Sequence, residues 1–305
     1  MPHRICAWDP SSLAPMSDSS TSAVPVFAAV AWATMGFGVL VTLGGAVDSL
    51  ADPTVVIGAV VFGAGAVTLV FLGFRSFAFG HVARRAAVTA GLLAVLQGIL
   101  MAINEAAGWL DDEISVARMA IEVLLTANVL MLFGALALAA WWGSGFSLPR
   151  RNLRSSDGRW LVVGASTLLV LAATGALNSL SDAVLPADAV AGDLADEFGP
   201  AAPALRSVGI VHPLLSVVGG MFVAWIAAAR TKLASQTSKR LATALVFMVL
   251  SQMFIGIASI FFLTPTAIQV IHLAVANVMW IVFVVLGASV LGDREVTQTA
   301  QAVAG

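Results

Sequence analysis

The stretch QVIHLAVANVMWIVFVVLG, residues 269–287, reads as lipid-embedded helix from end to end except at His272. An ionisable side chain among acyl chains costs on the order of several kcal/mol unless a partner answers it, so a histidine at that depth is a functional-site candidate. The chain has four histidines, and a second, His212 in VGIVHPLLSVVGG, also lies just inside an apolar run.

Working outward, 59% of the residues are apolar, 10% are charged and the mean hydropathy is +0.96. An average soluble domain carries roughly 25% charged residues, so this composition is that of a polytopic membrane protein. Windows long enough to cross a bilayer fall at about 24–46, 54–74, 86–104, 114–141, 160–180, 208–229, 241–263 and 266–291, which predicts an all-α membrane protein of eight transmembrane helices.

Basic residues cluster on one side of this arrangement. The connections after the second, fourth and sixth spans carry Arg75, Arg84, Arg85, Arg150, Arg151, Arg154, Arg159, Arg230, Lys232, Lys239 and Arg240. Because Lys and Arg are retained in the cytoplasm, these connections and both termini are expected inside, in the plasma membrane. The opposite set holds Asp48, Asp52, Glu105, Asp111, Asp112, Glu113, Asp182, Asp188, Asp193, Asp196 and Glu197, with Arg118 and Arg206 as its basic residues. The net charge of −2 is a cancellation between two faces and implies no nucleic-acid partner.

Residues 1–23 form a polar Ser- and Pro-rich tail with no signal-peptide pattern, and Met16 is an alternative initiator. Cys6, the one cysteine, lies in that tail, so neither an internal disulfide nor a cysteine metal site is expected. His3 lies in the tail and His81 in a cytoplasmic loop, where solvated histidines are ordinary.

The chain also repeats itself. GAVDSL at 45–50 matches GALNSL at 175–180, and DPTVVIGAVVFG at 52–63 matches HPLLSVVGGMFV at 212–223. AVLQGILMAI at 94–103 matches MVLSQMFIGI at 248–257, each with a glutamine, Gln97 and Gln252, one position out of step, and LLTANVLM at 124–131 matches LAVANVMW at 273–280. Four matches in one order predict two parallel-repeat four-helix bundles, at 24–142 and 160–291, joined by a basic cytoplasmic linker at 143–159 and followed by a tail at 292–305. Gly63, Gly65, Gly219 and Gly220 are expected to let helices approach closely.

His212 and His272 enter their spans from the outer side, about four and six residues in, so both sit roughly 6–9 Å below the outer boundary. Two imidazoles facing each other across a four-helix core can clamp a haem iron from both sides, which makes haem b the expected cofactor. Arg206, six residues before His212, is the expected partner of a haem propionate. The competing account makes each histidine a packing residue and Pro213 a helix start. A bare zinc or copper ion lacks supporting cysteines or carboxylates within the bundle.

These features resemble the haem A synthase family of cytochrome oxidase assembly membrane proteins: two four-helix halves, TGALNSL closing the fifth span, an HP entry to the sixth, a glutamine in the seventh and IHLAVANVMWIVFVVLG in the eighth. The resemblance implies a membrane oxidoreductase converting haem O to haem A, with His212 and His272 at the positions of the C-terminal, haem b pair. It also implies haem O or haem A, a haem O synthase, or oxidase subunits as partners besides membrane lipid, and leaves room for an oligomer.

The first half departs from that pattern. Asp52 stands opposite His212 and Val123 opposite His272, and the connection DSLADP lacks the long loop with a glutamate that the family carries. Asp52 and Glu122 are the remaining catalytic candidates there. Glu122 and Arg118 either pair along one helix face or, with Asp52, line what is left of a substrate cavity. Gln97 and Gln252 are read as interhelical hydrogen-bonding residues, Trp225 and Trp280 as packing or lipid-facing, and residues 181–207 as a solvated acidic cap with little regular structure. Enzyme and non-catalytic haem b carrier or assembly factor both remain open. A transporter would need broken helices and polar midplane sites, and few are seen.

Overall fold

A computed structural model describes residues 19–45, 53–107, 114–146, 148–150, 152–185, 194–231, 234–262 and 266–292. Their helices are α1 (Ser19–Gly45), α2 (Pro53–Ser76), α3 (Val82–Ala106), α4 (Val116–Gly143), α5 (Ser156–Val184), α6 (Leu194–Phe198), α7 (Ala202–Arg230), α8 (Gln236–Phe261) and α9 (Thr266–Gly292). All but α6 are long and apolar enough to cross a membrane, giving eight spans and no strand among the described residues. The all-α, eight-span expectation is met.

Local chemistry sets the helix starts. Ser115 accepts from the Arg118 backbone N–H at 3.2 Å, Ser155 from Gly158 at 3.1 Å and Ser235 from Ser238 at 3.3 Å, each satisfying an amide that the helix itself leaves without a partner. His81 does the same for α3, accepting from the Ala83 N–H at 3.2 Å while its ring stacks on Phe77, so it is a structural cap. Gly80, at φ 87°, makes the turn before it.

Two helices begin or continue where the apolar windows did not place them. α7 starts at Ala202, so Arg206 is helical and His212 is the eleventh residue of its helix. Pro213 does not start the helix but lies inside it, next to the histidine. Membrane helices tolerate an internal proline because neighbours can satisfy the freed carbonyl. The acidic segment is more ordered than its composition suggested: α6 turns Leu194 inward, and the Ile114 N–H donates to the Phe198 carbonyl at 2.6 Å. Ile114, Leu180, Leu185, Leu194, Ala202 and Leu205 form a small apolar core of their own, which lashes this segment to the start of α4. Residues 186–193 lie outside the described residues.

The spans group by contact into two closed sets. α1 touches α2, α2 touches α3, α3 touches α4 and α4 returns to α1; α5, α7, α8 and α9 close in the same way. The sets meet chiefly along α4, against α5 and α9. Leu136 of α4 and Leu286 of α9, on the helices that meet there, are fully buried. The indole N–H of Trp280 donates across it to the Leu130 carbonyl, and Gly134 gives the ring room, so Trp280 is a packing residue. Trp225 is half exposed, stacked on Phe222 at the outer surface of the bundle. Close approach of helices is made possible by missing side chains: a Cβ on Gly65 would meet Thr34 at 2.7 Å, on Gly219 Leu171 at 3.1 Å, and on Gly220 Val249 at 3.2 Å. Gly63 faces open space and makes no such contact, contrary to the sequence expectation.

The seam generates a prediction. Trp280→Ala should cost about 3–5 kcal/mol through the void it leaves, whereas Trp280→Phe should cost about 1 kcal/mol through the lost hydrogen bond. Equilibrium unfolding in SDS–detergent mixtures measures both, and equal losses would mean that the indole N–H, not the ring, holds the seam.

Candidate functional site

His212 on α7 and His272 on α9 come from helices that stand diagonally opposite in the second set, separated by α5 on one side and α8 on the other. Both rings are half-buried and lie within electrostatic reach of each other. They share one bundle, as the sequence predicted.

Each ring occupies a notch made by a glycine on a neighbouring helix. A Cβ on Gly175 of α5 would sit 3.2 Å from Cε1 and 3.5 Å from Nε2 of His212. A Cβ on Gly256 of α8 would sit 3.4 Å from Cε1 of His272. At Gly175 a side chain would press on the His212 ring, whereas at Gly256 a Cβ would make ordinary van der Waals contact with His272.

The hydrogen-bond partners of His212 bear on which nitrogen carries its proton. Nδ1 lies 3.0 Å from Thr174 Oγ1, and Nε2 lies 3.3 Å from Ser216 Oγ. The single Thr174 hydroxyl hydrogen points back along α5 to the carbonyls of Val170 and Leu171, at 3.1 and 3.0 Å. A hydroxyl that gives its hydrogen to its own helix offers the ring a lone pair, and His212 would then donate from Nδ1. That leaves Nε2 with its lone pair toward the Ser216 hydroxyl, the form an imidazole needs to ligate a metal. Nδ1 of His272 is buried with no hydrogen-bond partner.

The donor set fits a haem. Among the described residues no three His, Cys, Asp or Glu side chains gather as a metal site. A bare tetrahedral ion would find two imidazoles and no more, while a porphyrin brings four nitrogens and needs two axial ligands. Arg206 lies six residues before His212 on α7, roughly 9 Å toward the N-terminal end of the helix. Asp182 of α5 lies within its electrostatic reach and accepts from Asn178 Nδ2 at 3.3 Å, so the guanidinium already faces a carboxylate.

The first set is different. Asp52 lies outside the described residues. Glu122 is half-buried on α4 within electrostatic reach of Arg118, one turn away, but the two form no ion pair within 4 Å. Arg118 Nη1 and Asn104 Oδ1 are buried without partners. Deeper in, Asn128 Nδ2 donates to Gln97 Oε1 at 2.8 Å and to the Leu93 carbonyl at 2.9 Å. In the second set Gln252 Nε2 donates to the His272 carbonyl at 3.0 Å. Both glutamines bridge helices, as expected.

Sequence reasoning missed Thr174, Gly175, Ser216 and Gly256. A signal existed for the first two: TGALNSL belongs to a repeat, and its counterpart in the first half reads GGAVDSL, with Gly44 where the second half has Thr174. The half without the histidine also lacks the hydroxyl that would orient it. On the match of 94–103 with 248–257, the counterpart of Gly256 is Ala102.

The tautomer can be read directly. In ¹⁵N-histidine-labelled protein without cofactor, Thr174→Val should move His212 from the Nδ1–H toward the Nε2–H form in imidazole NMR spectra; an unchanged spectrum would mean that Thr174 does not set it.

Comparison with known proteins places the fold and this geometry in context. A family model described as cytochrome oxidase assembly protein matches residues 54–284. Two curated relatives, each named protoheme IX farnesyltransferase and each from a different strain of Thermus thermophilus, are 31% identical over 218 residues. That alignment covers 71% of this chain and 36% of each relative, so the chain spans about a third of the relatives' length. No solved structure matches.

Proposed function

The chain belongs to the cytochrome oxidase assembly protein family, the haem A synthase family, and on that premise we propose that it is an integral membrane haem protein of haem A biosynthesis. His212 and His272 hold haem b in the second four-helix set. The observation that carries this reading is the pair of glycine notches, Gly175 and Gly256, each seating an imidazole on diagonally opposed helices. Bound there, haem b supplies one-electron chemistry. The chain's own contribution is to present two neutral rings toward one another, to keep Nε2 of His212 free of its proton through Thr174, and to exclude water with apolar walls.

Arg206 serves a propionate, sharing its charge with Asp182. The basic connections lie in the cytoplasm, in a plasma membrane, with both termini inside. The two closed sets are copies of one unit, joined through 143–159. The relatives are named for farnesylation of protohaem, and only about a third of their length is like this chain. A haem O synthase is accordingly the partner we assign.

A second reading is favoured by a specific observation. The first half carries Asp52, Val123, Gly44 and Ala102 at the positions corresponding to His212, His272, Thr174 and Gly256. A substrate haem has no imidazole pair there, which supports a haem b carrier or assembly factor over an oxidase of the haem methyl group. Asp52 and Glu122 are then residues of a lost site rather than catalysts.

Detergent-purified chain should show a low-spin haem b spectrum at one haem per polypeptide, and His212→Ala or His272→Ala should abolish it. Two haems per chain would restore the first half as a binding site. Membranes supplied with haem O and an electron donor are expected to yield no haem A on extraction and chromatography; conversion would establish the enzyme over the carrier.

A further inference from the structure

Three buried polar atoms in the second set have no partner, and all lie on the facing helices α8 and α9: Gln252 Oε1, His272 Nδ1 and Asn277 Nδ2. Buried polar atoms left without a partner are rare because each forfeits its hydration, so three together call for an explanation. Their chemistry is complementary. An amide oxygen accepts two hydrogen bonds, and it is the one acceptor of the three. Asn277 Nδ2 is a donor. His272 Nδ1 becomes a donor whenever Nε2 is given to a metal, because the ring's single proton then resides on Nδ1.

The other half of the molecule supplies a working example of one of these bonds. Asn128 occupies the position that corresponds to Asn277, and Gln97 lies one position from that of Gln252; there the asparagine Nδ2 donates to the glutamine Oε1 at 2.8 Å. Asn277 is 3% exposed and Asn128 6%, so the two asparagines are equally enclosed. The difference is that Gln252 leans toward the histidine: its Nε2 donates to the backbone carbonyl of His272 itself at 3.0 Å. Val123 takes the place of His272 in the first half and offers no ring.

We propose that Gln252 is the positioning residue of His272: its side-chain carbonyl accepts the Nδ1–H of His272 and the Nδ2–H of Asn277 when Nε2 ligates iron. The inference rests on the haem b reading above. Gln252 keeps its own donor on the His272 carbonyl, so one amide grips both the backbone and the ring of the same ligand. The histidine pair is thereby held by different chemistry on each side, a hydroxyl at His212 and an amide at His272. A hydrogen bond accepted from the far nitrogen makes an imidazole a more basic ligand and stabilises ferric iron.

The test uses the full chain in detergent, titrated with haem b and then poised by spectroelectrochemistry. Gln252→Leu should weaken haem binding about tenfold, the usual scale for losing such a partner, and raise the midpoint potential. Gln252→Glu, which retains a stronger acceptor, should lower the potential below that of the unaltered chain. Gln97→Leu should leave both unchanged, and Asn277→Leu should have a smaller effect than Gln252→Leu. The proposal is overturned if Gln252→Leu matches Gln97→Leu in both readings, or if Asn277→Leu reproduces the whole effect, since the amide would then only fasten α8 to α9. Absence of a low-spin haem spectrum in the unaltered chain would instead sink the haem reading and this inference with it.

Discussion

A helix in lipid satisfies its own backbone and, through carbonyls one turn back, many of its hydroxyls, but an imidazole or amide inside a span relies largely on neighbouring helices. The second set of this protein is arranged around that requirement. Thr174 of α5 answers His212 of α7 at 3.0 Å, Gln252 of α8 answers the backbone of His272 on α9 at 3.0 Å, and Ser238 of α8 meets Ser289 of α9 at 2.7 Å. Each polar group adds a point where two helices are held in one register. Packing alone, among residues as apolar as the surrounding lipid, would leave that register weakly specified.

Much of the fold was legible because a transmembrane helix announces itself by a single property, sustained apolarity over a fixed length. The same property made the ends illegible. The first two turns of α7 carry Arg206 and Ser207, and they fall below the apolarity of a span, yet they continue the helix because Leu205 is fully buried in the outer core with Ile114 and Leu194. α6 was hidden for a related reason: a helix of this length is fixed by packing from outside, here by Leu194 and the Ile114–Phe198 hydrogen bond, and its acidic composition says nothing of that.

The candidate site divides in the same way. Histidines in membrane helices stand out by residue type, so His212 and His272 could be picked from sequence and assigned to one level. Their supports could not. Thr174 bonds back to its own helix like many membrane threonines, as Thr68 and Thr167 do here, and nothing in the sequence distinguishes the one that also faces a ring. Gly175 and Gly256 look like any helix-contact glycine until the ring beside each is placed. Gly63 makes the converse point, a glycine in the same kind of run that contacts nothing.

The loss of histidines from one half need not cost the fold, and the seam explains why. α4 and α9, the helices that occupy corresponding places in the two sets, are the most enclosed spans, and their contact with each other is made by Trp280, Gly134, Leu130 and their apolar neighbours. None of these is a candidate ligand. The sides of α2 and α4 turned away from the seam are therefore free to change while the seam is maintained by its own packing, and Asn128 with Gln97 closes α3 onto α4 without any ring to support. A half stripped of its imidazoles remains useful as the wall against which the other half is built. The polar atoms it retains, Arg118 Nη1 and Asn104 Oδ1, are left without partners toward the helix ends, where lipid headgroups and water tolerate them better than the bilayer centre would.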